Sequence, residues 1–228
     1  MKIGIIGLGS MGKNHYRILK TLDESVTIVG LCDAVELAGY SEPCYTDVPT
    51  MLDSTKPDAV IIATPTFLHK EIALECINRD IHIFIEKPAA ATVEDAKAIE
   101  EAAKARGIKS CVGHVERFNP VVQALQNELK GREIYTISIT RVGPFPPRIA
   151  DVGVLTDLSV HDIDLMRFIT HRNIIDQAIF KSRKIHNHHE DNAVLNFSLE
   201  DNIVANILTN WLTPFKKRII EVACREVY

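Results

Sequence analysis

A glycine-rich hexapeptide near the start of the chain has the residue types that cradle a phosphate. Gly7-Leu8-Gly9-Ser10-Met11-Gly12 follows a short apolar run and opens an amphipathic stretch. In a GxGxxG turn between a strand and a helix, the first glycine permits a tight turn and the second lets a pyrophosphate approach the backbone. The third lets the helix pack close to the sheet, while free N–H groups at the helix start face the phosphates. Alone, the hexapeptide is a weak signal.

A carboxylate stands where such a turn needs one. Asp33 lies 21 residues after Gly12, at the end of the second apolar run, where it can accept hydrogen bonds from both ribose hydroxyls of an adenosine. Ala34 and Val35 follow it, and no arginine is there to receive a 2′-phosphate. The spacing predicts a dinucleotide site that favours NAD over NADP. The alternative is a glycine-rich turn with a chance surface aspartate.

Two further polar segments follow apolar runs. Ala63-Thr64-Pro65-Thr66 comes after the third run and Glu86-Lys87-Pro88 after the fourth. The carboxyl ends of parallel strands form the ligand crevice of a doubly wound sheet, so both segments are predicted to line it. Lys87 would be a cation near a reacting carbon, able to favour a developing alkoxide or to pass a proton. Taken alone, a lysine after a strand is more often a solvated charge.

An aspartate and a histidine four residues apart form the third candidate. They lie in Asp157-Leu158-Ser159-Val160-His161, and a spacing of four places both on one face of a helix. The carboxylate could hold the imidazole in one tautomer, ready to take a hydroxyl proton. The alternative is an acidic helical turn with an incidental histidine.

The elements that must position these residues alternate regularly over residues 1–118. Short runs rich in Ile and Val, typical of strands covered on both faces, alternate with amphipathic stretches, which predicts a doubly wound parallel α/β sheet. Thr92 is predicted to cap the last of these helices and Gly107 to end it. Predicted strands are Lys2 to Leu8, Val26 to Cys32, Asp58 to Ala63, Ile81 to Ile85 and Lys109 to Val112; predicted helices are Met11 to Leu22, Val48 to Ser54, Phe67 to Asn78 and Val93 to Arg106.

Residues 119–228 follow a different pattern. Alternation over Glu133 to Ile139 indicates a half-exposed strand, and Gly143 to Pro147 is predicted to be a rigid loop outside any strand. We expect a mixed or antiparallel sheet with a helix packed on it. Predicted helices are Val121 to Leu129 and Thr156 to Thr170; predicted strands are Arg132 to Thr140, Ile175 to Ile185, Ala193 to Leu199, Ile203 to Trp211 and Arg218 to Tyr228.

Composition narrows the classes of function. The 228-residue chain is 46% hydrophobic and 25% charged with a net charge of −4, which argues against a surface built to neutralise nucleic-acid phosphates. No apolar run approaches the roughly 18 residues of a membrane span, and the first residues lead directly into the glycine turn. We therefore predict a cytoplasmic protein that binds neither nucleic acid nor membranes.

The motifs together resemble those of the Gfo/Idh/MocA oxidoreductases in order and approximate spacing. The resemblance spans the chain and implies an N-terminal Rossmann domain, residues 1–118, followed by an α/β domain with an open, mainly antiparallel sheet, residues 119–228. It also implies hydride transfer between NAD(P) and a carbinol carbon of a sugar or polyol. The motifs that carry it are Gly7 to Gly12, Asp33, Ala63 to Thr66 with His69, Glu86-Lys87-Pro88, and Asp157 with His161.

The resemblance also implies roles for individual residues. Lys87 and His161 would be the catalytic pair, and Asp157 would orient the histidine. The cofactor-binding residues would be Gly7 to Gly12, Asp33, Thr64, Pro65, His69, Glu86 and Lys87. The family chemistry uses no metal, so His186-Asn187-His188-His189-Glu190 is expected to be a loop between strands rather than a metal site.

Within the family, the chain is similar to sugar-nucleotide members of the UDP-N-acetylglucosamine 3-dehydrogenase type. The similarity lies in the tracts Gly113 to Pro120, Asp157 to Leu165 and Trp211 to Phe215. It implies that a sugar nucleotide would contact Glu116, Arg117, Arg148 and His161. Arg117, Arg141 and Arg148 are candidates to bind a diphosphate, although a solvated surface position is an equal alternative for each.

Two other functions stay open at this point. One is a polyol dehydrogenase of the inositol type, and the other is a non-catalytic NAD-binding regulatory subunit. The resemblance further implies a homo-oligomer, a dimer or tetramer. It also implies a C-terminal domain shorter than is usual in the family, with an apolar face or edge left unpaired.

Overall fold

The chain forms two compact units, and each is described by itself. The computed structural model describes residues 1–22, 25–146 and 152–225. The first unit comprises Met1–Gly113, and the second begins at His114.

The first unit is built on a parallel sheet of six strands. Their order is β3-β2-β1-β4-β5-β6, and every neighbouring pair is parallel. The order reverses between β1 and β4, which is where a doubly wound sheet opens its ligand crevice. This confirms the predicted sheet, to which β3 adds two residues that no sequence pattern indicated. The strands are β1 (Lys2–Ile6), β2 (Thr27–Cys32), β3 (Cys44–Tyr45), β4 (Ala59–Ile62), β5 (His82–Ile85) and β6 (Ser110–Val112).

Local sequence signals explain where the helices of this unit begin and end. Asp47 accepts a hydrogen bond from the backbone of Thr50 at the start of α2, and Thr92 accepts one from Asp95 at the start of α4, as predicted. Gly107 has a φ of +67° just after α4, a conformation that glycine adopts without strain. The helices are α1 (Ser10–Leu19), α2 (Val48–Thr55), α3 (His69–Ile77) and α4 (Val93–Ala105).

The second unit holds a mixed sheet of five strands in the order β11-β7-β10-β9-β8. The β7–β10 pair is parallel and the other three pairs are antiparallel. The elements are α5 (Pro120–Glu128), β7 (Ile134–Pro144), α6 (Val160–Thr170), β8 (Ile174–Ser182), β9 (Asn192–Leu199), β10 (Val204–Asn210) and β11 (Leu212–Cys224).

Three predicted boundaries in this sheet are wrong, and the predicted strand end at Tyr228 lies outside the described residues. Strand β8 ends at Ser182 rather than Ile185. Strand β7 continues through Gly143 to Pro144, because a proline at the end of a strand loses only a donor that the ladder no longer needs there. Strand β11 begins at Leu212 rather than Arg218, and its register against β7 shifts between Leu212 and Lys217. Of the predicted loop, Gly143 and Pro144 are therefore part of the sheet, Phe145 and Pro146 lie outside it, and Pro147 is outside the described residues.

Helix α6 covers one face of the second sheet. Its residues Leu165, Met166 and Ile169 are buried against sheet residues that include Ile139 and Leu195. The edge strand β8 is covered much less, and Ile175 and Phe180 are 66% and 67% exposed. Among the described residues, no helix combines the length and the apolar character needed to cross a membrane.

A carboxylate links α1 to the segment between β2 and β3. Glu42 is 8% exposed, and its oxygens accept hydrogen bonds from the Tyr16 hydroxyl at 2.8 Å and from Lys20 Nζ at 2.7 Å. Burial opposes ionisation of Glu42, but the bonds from Lys20 and Tyr16 outweigh it and lower the pKa of Glu42 to about 2. The ionised form therefore stabilises the folded unit.

We predict that Glu42→Gln destabilises the protein at neutral pH and has no effect near pH 2. A folded-state pKa below the unfolded value contributes stability above pH 4.5, and that contribution is lost as the pH falls towards 2. Allowing for solvent screening, urea unfolding at neutral pH should show a loss of about 1–2 kcal/mol. Glu101→Gln, at an exposed position of α4, is the control. If the wild type were more stable than Glu42→Gln by the same free energy of unfolding near pH 2 as at neutral pH, this explanation would be contradicted.

Candidate functional site

The glycine turn after β1 leaves space for a ligand at one glycine only. Gly7 has a φ of +89°, and a Cβ there would lie 2.6 Å from the carbonyl oxygen of Ala63. A Cβ on Gly12 would overlap the carbonyl oxygen of Gly7, whereas a Cβ on Gly9 would meet nothing within 4 Å. No side chain caps α1, which begins at Ser10. The turn is thus a closed backbone curve with an open face at Gly9, which fits a pyrophosphate.

Asp33 lies beside this turn. Its Oδ2 accepts a hydrogen bond from the backbone N–H of Leu8 at 2.6 Å, and the N–H of Gly7 donates to the carbonyl of Cys32 at 2.8 Å. These two bonds hold the end of β2 against the glycine turn. The carboxylate is therefore fixed where the ribose of a bound dinucleotide is expected.

The loops after β4 and β5 are joined by His69. This side chain is 1% exposed, with Nδ1 3.0 Å from the carbonyl oxygen of Pro88 and Nε2 3.0 Å from that of Thr64. A neutral imidazole can donate to one of these carbonyls. These two contacts hold the loops after β4 and β5 together. The predicted contact of His69 with a cofactor stays a prediction.

The same loops present polar groups towards the crevice end of the sheet. Within the described ranges, the buried hydroxyl of Thr64 has no hydrogen-bond partner, which fits a site that awaits a polar ligand. Pro65, next to it, is exposed and precedes a short 3₁₀ turn, Thr66–Leu68. Lys87 is the second residue after the end of β5 and is partly buried, and its peptide bond to Pro88 is cis.

Glu86 has a partner that the sequence did not reveal. Its Oε1 lies 2.7 Å from Nε2 of His15 on α1, and its Oε2 accepts a hydrogen bond from the backbone of Lys87 at 3.3 Å. The signal that could have found His15 is its spacing, three residues after Gly12 and hence about one helical turn further along α1.

Asp157 and His161 lie in consecutive helical segments of different type. A π-turn, Leu155–Ser159, carries Asp157, and the α-helix α6 that follows it carries His161. The backbone N–H of Asp157 donates to Gly153 at 3.0 Å. The single regular helix predicted from Thr156 is therefore wrong in its first turn, although the two residues are still about one turn apart.

A loop between β8 and β9 supports the start of this π-turn. Asp191 is fully buried, and its carboxylate accepts hydrogen bonds from the backbone of Lys184, Ile185 and His186. Burial opposes ionisation of Asp191, but these backbone N–H groups outweigh it and lower its pKa. The loop is held by backbone bonds to this one carboxylate.

Glu190 connects that loop to the π-turn. Its carbonyl accepts from Val154 at 3.0 Å, and its Oε1 accepts from Leu155 at 3.3 Å. A Cβ on Gly153 would overlap the Glu190 carboxylate and lie 2.8 Å from its carbonyl oxygen. Gly153 is therefore the residue that allows the segment carrying Asp157 to pack against the loop.

The histidine cluster in the loop has a structural use. Nδ1 of His186 accepts backbone hydrogen bonds from His188 at 3.1 Å and from His189 at 3.0 Å. Its ring packs on Phe145 and Trp211. No group of three or more potential metal ligands occurs among the residues that the structure describes.

Two of the candidate substrate residues, Glu116 and Arg117, form ion pairs within the second unit. Glu116 Oε1 accepts from Arg141 at 3.1 Å and from Arg218 at 3.2 Å. Burial opposes ionisation of Glu116, but Arg141 outweighs it and lowers the pKa of Glu116. Arg117 donates to both carboxylate oxygens of Asp164. Arg148 lies outside the described residues.

Arg141 also binds the residue that follows His161. Its Nε lies 2.8 and 3.0 Å from the two oxygens of Asp162, which is fully buried. Burial outweighs the attraction of Arg141 and raises the pKa of Asp162 to about 6. The pair ties α6 to β7, and the sequence did not indicate it. Arg141 is 6% exposed, so the alternative of a solvated surface position is wrong for this arginine.

The fold and the glycine turn define a dinucleotide-binding Rossmann protein with a second α/β unit. Residues 1–114 match the family model described as "Oxidoreductase family, NAD-binding Rossmann fold", and residues 133–227 match the "GFO/IDH/MocA C-terminal domain". The chain belongs to the Gfo/Idh/MocA oxidoreductase family.

Relatives of the chain are named dehydrogenases. UDP-N-acetylglucosamine 3-dehydrogenase from Acidithiobacillus ferrooxidans is 31% identical over 182 residues, which cover 77% of this chain and 56% of that protein. Inositol 2-dehydrogenase 2 from Saccharopolyspora erythraea is 30% identical over 197 residues, which cover 81% of this chain and 58% of that protein. The chain thus spans little more than half the length of these curated relatives.

A solved structure supports the same fold. A crystal form of the Acidithiobacillus ferrooxidans UDP-N-acetylglucosamine 3-dehydrogenase matches with a TM-score of 0.86 and 26% identity, covering 97% of this chain and 73% of that one. The predicted family and fold class are therefore confirmed.

We predict opposite effects for alanine at two of the glycines. Gly9→Ala should keep the stability within about 1 kcal/mol, because its Cβ meets nothing, and should weaken NAD binding about tenfold or more by filling the cradle. Gly12→Ala should lower the unfolding free energy by about 1–3 kcal/mol or more, because its Cβ overlaps Gly7. Calorimetric titration and urea unfolding measure the two effects. If Gly9→Ala bound NAD with wild-type affinity, the assignment of the pyrophosphate to this turn would be wrong.

In the second unit, Gly153→Ala should lower the unfolding free energy by about 1–3 kcal/mol. The reason is the overlap of its Cβ with Glu190. Gly143→Ala is the matched control, because a Cβ there meets its nearest atom, Lys216 Cγ, at 3.4 Å. Equal stabilities of the two variants would show that Glu190 moves away at no cost.

Proposed function

We propose that this chain carries an NAD-dependent oxidoreductase activity that moves a hydride between nicotinamide and a carbinol carbon of a sugar or sugar nucleotide. The observation that carries the proposal is the open cradle at Gly9, with Lys87 two residues after the end of β5 in the same parallel sheet. The names of the relatives support it.

NAD rather than NADP is supported by the charges near the end of β2. A cavity of about 530 Å³ near the end of β2 is lined by two carboxylates and by no basic side chain. A 2′-phosphate in this cavity would therefore have no counter-ion. Asp33, in turn, offers acceptors for two ribose hydroxyls. The cavity is lined by Glu36, Leu37, Cys44, Tyr45, Thr46, Asp47 and Thr50.

The proposed catalytic residues are Lys87, Asp157 and His161. When bound, NAD supplies the hydride acceptor. His161 or Lys87 takes the proton of the substrate hydroxyl, and the ammonium form of Lys87 favours the alkoxide that develops there. Asp157, one turn before His161, orients the imidazole.

For the substrate, we favour a sugar nucleotide of the UDP-N-acetylglucosamine class. The relative of that name is 31% identical, and the tracts around Glu116 and His161 resemble that type. Glu116 and Arg117 already form ion pairs, so we propose that they would contact substrate polar groups from fixed positions. A polyol such as inositol is the second candidate, because a relative 30% identical bears that name. A homo-oligomer stays a prediction.

We predict that the chain reduces NAD in the presence of UDP-N-acetylglucosamine, and more slowly with myo-inositol or scyllo-inositol. The absorbance of reduced nicotinamide measures the rate. Lys87→Ala and His161→Ala should each lower kcat about 100-fold or more, because general acid–base groups contribute about 10²–10⁴-fold. His161→Ala should keep the wild-type affinity for NAD, because His161 is not among the predicted cofactor-binding residues.

The controls separate the rival functions. Lys181→Ala, an exposed charge on β8, should leave the rates unchanged. Faster turnover of inositols would select the polyol activity. Tight NAD binding with no turnover of any substrate would favour the non-catalytic NAD-binding subunit.

A further inference from the structure

We propose that His15 and Glu86 form a positioning pair that couples α1, the helix at the glycine turn, to the strand end that carries Lys87. The proposal rests on the proposed function, because it assigns the pair to the placement of a catalytic lysine. Neither residue belongs to the catalytic set of Lys87, Asp157 and His161.

The pair is well packed. The side chains of His15 and Glu86 are 17% and 9% exposed, and the distance between Nε2 and Oε1 is 2.7 Å. The His15 ring also meets Phe84 edge to face, with ring centroids 5.3 Å apart. His15 is therefore held both by a ring on β5 and by a carboxylate at the end of that strand.

Neighbouring residues leave room for the Glu86 carboxylate. A Cβ on Gly113, just after β6, would lie 3.2 Å from Oε1 and Cδ of Glu86 and 3.1 Å from the ring of Phe84. Such distances are tighter than ordinary van der Waals contacts, so a larger residue would press on the carboxylate. The lack of a side chain at Gly113 thus allows Glu86 to reach His15.

The two oxygens of Glu86 connect two different parts of the unit. Oε1 contacts α1 through His15, while Oε2 accepts the N–H of Lys87. The orientation of the carboxylate therefore fixes the peptide at which the chain leaves β5. Without His15, a carboxylate that is largely removed from water would lose its main donor and turn towards another. The direction in which Lys87 leaves the strand would change with it.

The pair of His15 and Glu86 connects the expected cofactor site to Lys87, because α1 begins at the glycine turn. The first turn of α1 faces the expected pyrophosphate, and His15 follows it on the same rigid helix. A helix is stiff over this distance, so a dinucleotide that seats against Gly9 also sets the position of His15 and Glu86. Lys87 is thus placed relative to the same helix that holds the cofactor phosphates.

Three variants test the pair. His15→Phe keeps the ring and removes the N–H donor, His15→Gln keeps a donor at about the position of Nε2, and Glu86→Gln removes the charge. His82→Phe is the matched control, because His82 lies at the opposite end of β5 and its Nδ1 accepts a hydrogen bond from the backbone of Lys109 at 3.2 Å rather than contacting Glu86. For each variant we would measure the NAD dissociation constant, kcat, KM, the melting temperature, and the rate of reductive methylation of Lys87 in the NAD complex by mass spectrometry.

The expected result is a drop in kcat of about tenfold or more in His15→Phe and Glu86→Gln, with KM changed much less. The methylation rate of Lys87 should change in the same two variants. His15→Gln should restore both properties towards wild type, and His82→Phe should leave both unchanged. A change in His15→Phe that His15→Gln does not reverse would assign His15 to packing alone and overturn the proposal.

The methylation rate keeps the proposal separate from the proposed function. If wild type turns over no substrate, the proposed function fails, yet a Lys87 methylation rate that depends on His15 would still support the pair. If wild type is active and the Lys87 methylation rate is equal in wild type and His15→Phe, the pair does not position Lys87. Should His15→Phe fail to fold, Glu86→Gln gives the same comparison.

Discussion

The close approach of α1 to the ends of β1 and β4 is the constraint on which the first unit depends. Neither Gly7 nor Gly12 has space for a Cβ, because carbonyl oxygens of Ala63 and Gly7 occupy it. This approach leaves the helix start uncapped and the face at Gly9 open. Asp33 is then fixed by a bond to the same turn. A turn made of larger residues would push the helix away and separate these groups.

In the second unit, the corresponding constraint is the burial of a charged side chain. Asp162 is fully buried, and its nearest cation, Arg141, bonds both Asp162 and Glu116. Burial of a charge is costly, so such a network persists only with most of its donors and acceptors matched. Its physical consequence is orientation: α6, which begins just before His161, is tied to β7 by a directional bond that apolar packing alone would not supply.

Sequence reasoning succeeded where the signal is local. The glycine turn, the Thr92 cap and the Ile- and Val-rich strands each depend on residues within a few positions of one another. It failed where the signal is distant in sequence. His15 and Glu86 are 71 positions apart, and Arg141 and Asp162 are 21 apart, so no periodicity links them. The start of the π-turn at Leu155–Ser159 contacts Glu190, which lies 35 positions from Leu155.

The histidines show why residue type alone is a poor guide to chemistry. His186 stands in a histidine-rich tract, yet its Nδ1 accepts two backbone N–H bonds and its ring packs against Phe145 and Trp211. A nitrogen that is already an acceptor for the backbone can take neither a metal nor a substrate proton without breaking the turn. His69 is likewise occupied by carbonyls of two loops. A histidine can act on a ligand only if a ring nitrogen is not already hydrogen-bonded to the backbone. The folded structure shows which nitrogens are bonded in this way, and the residue type does not.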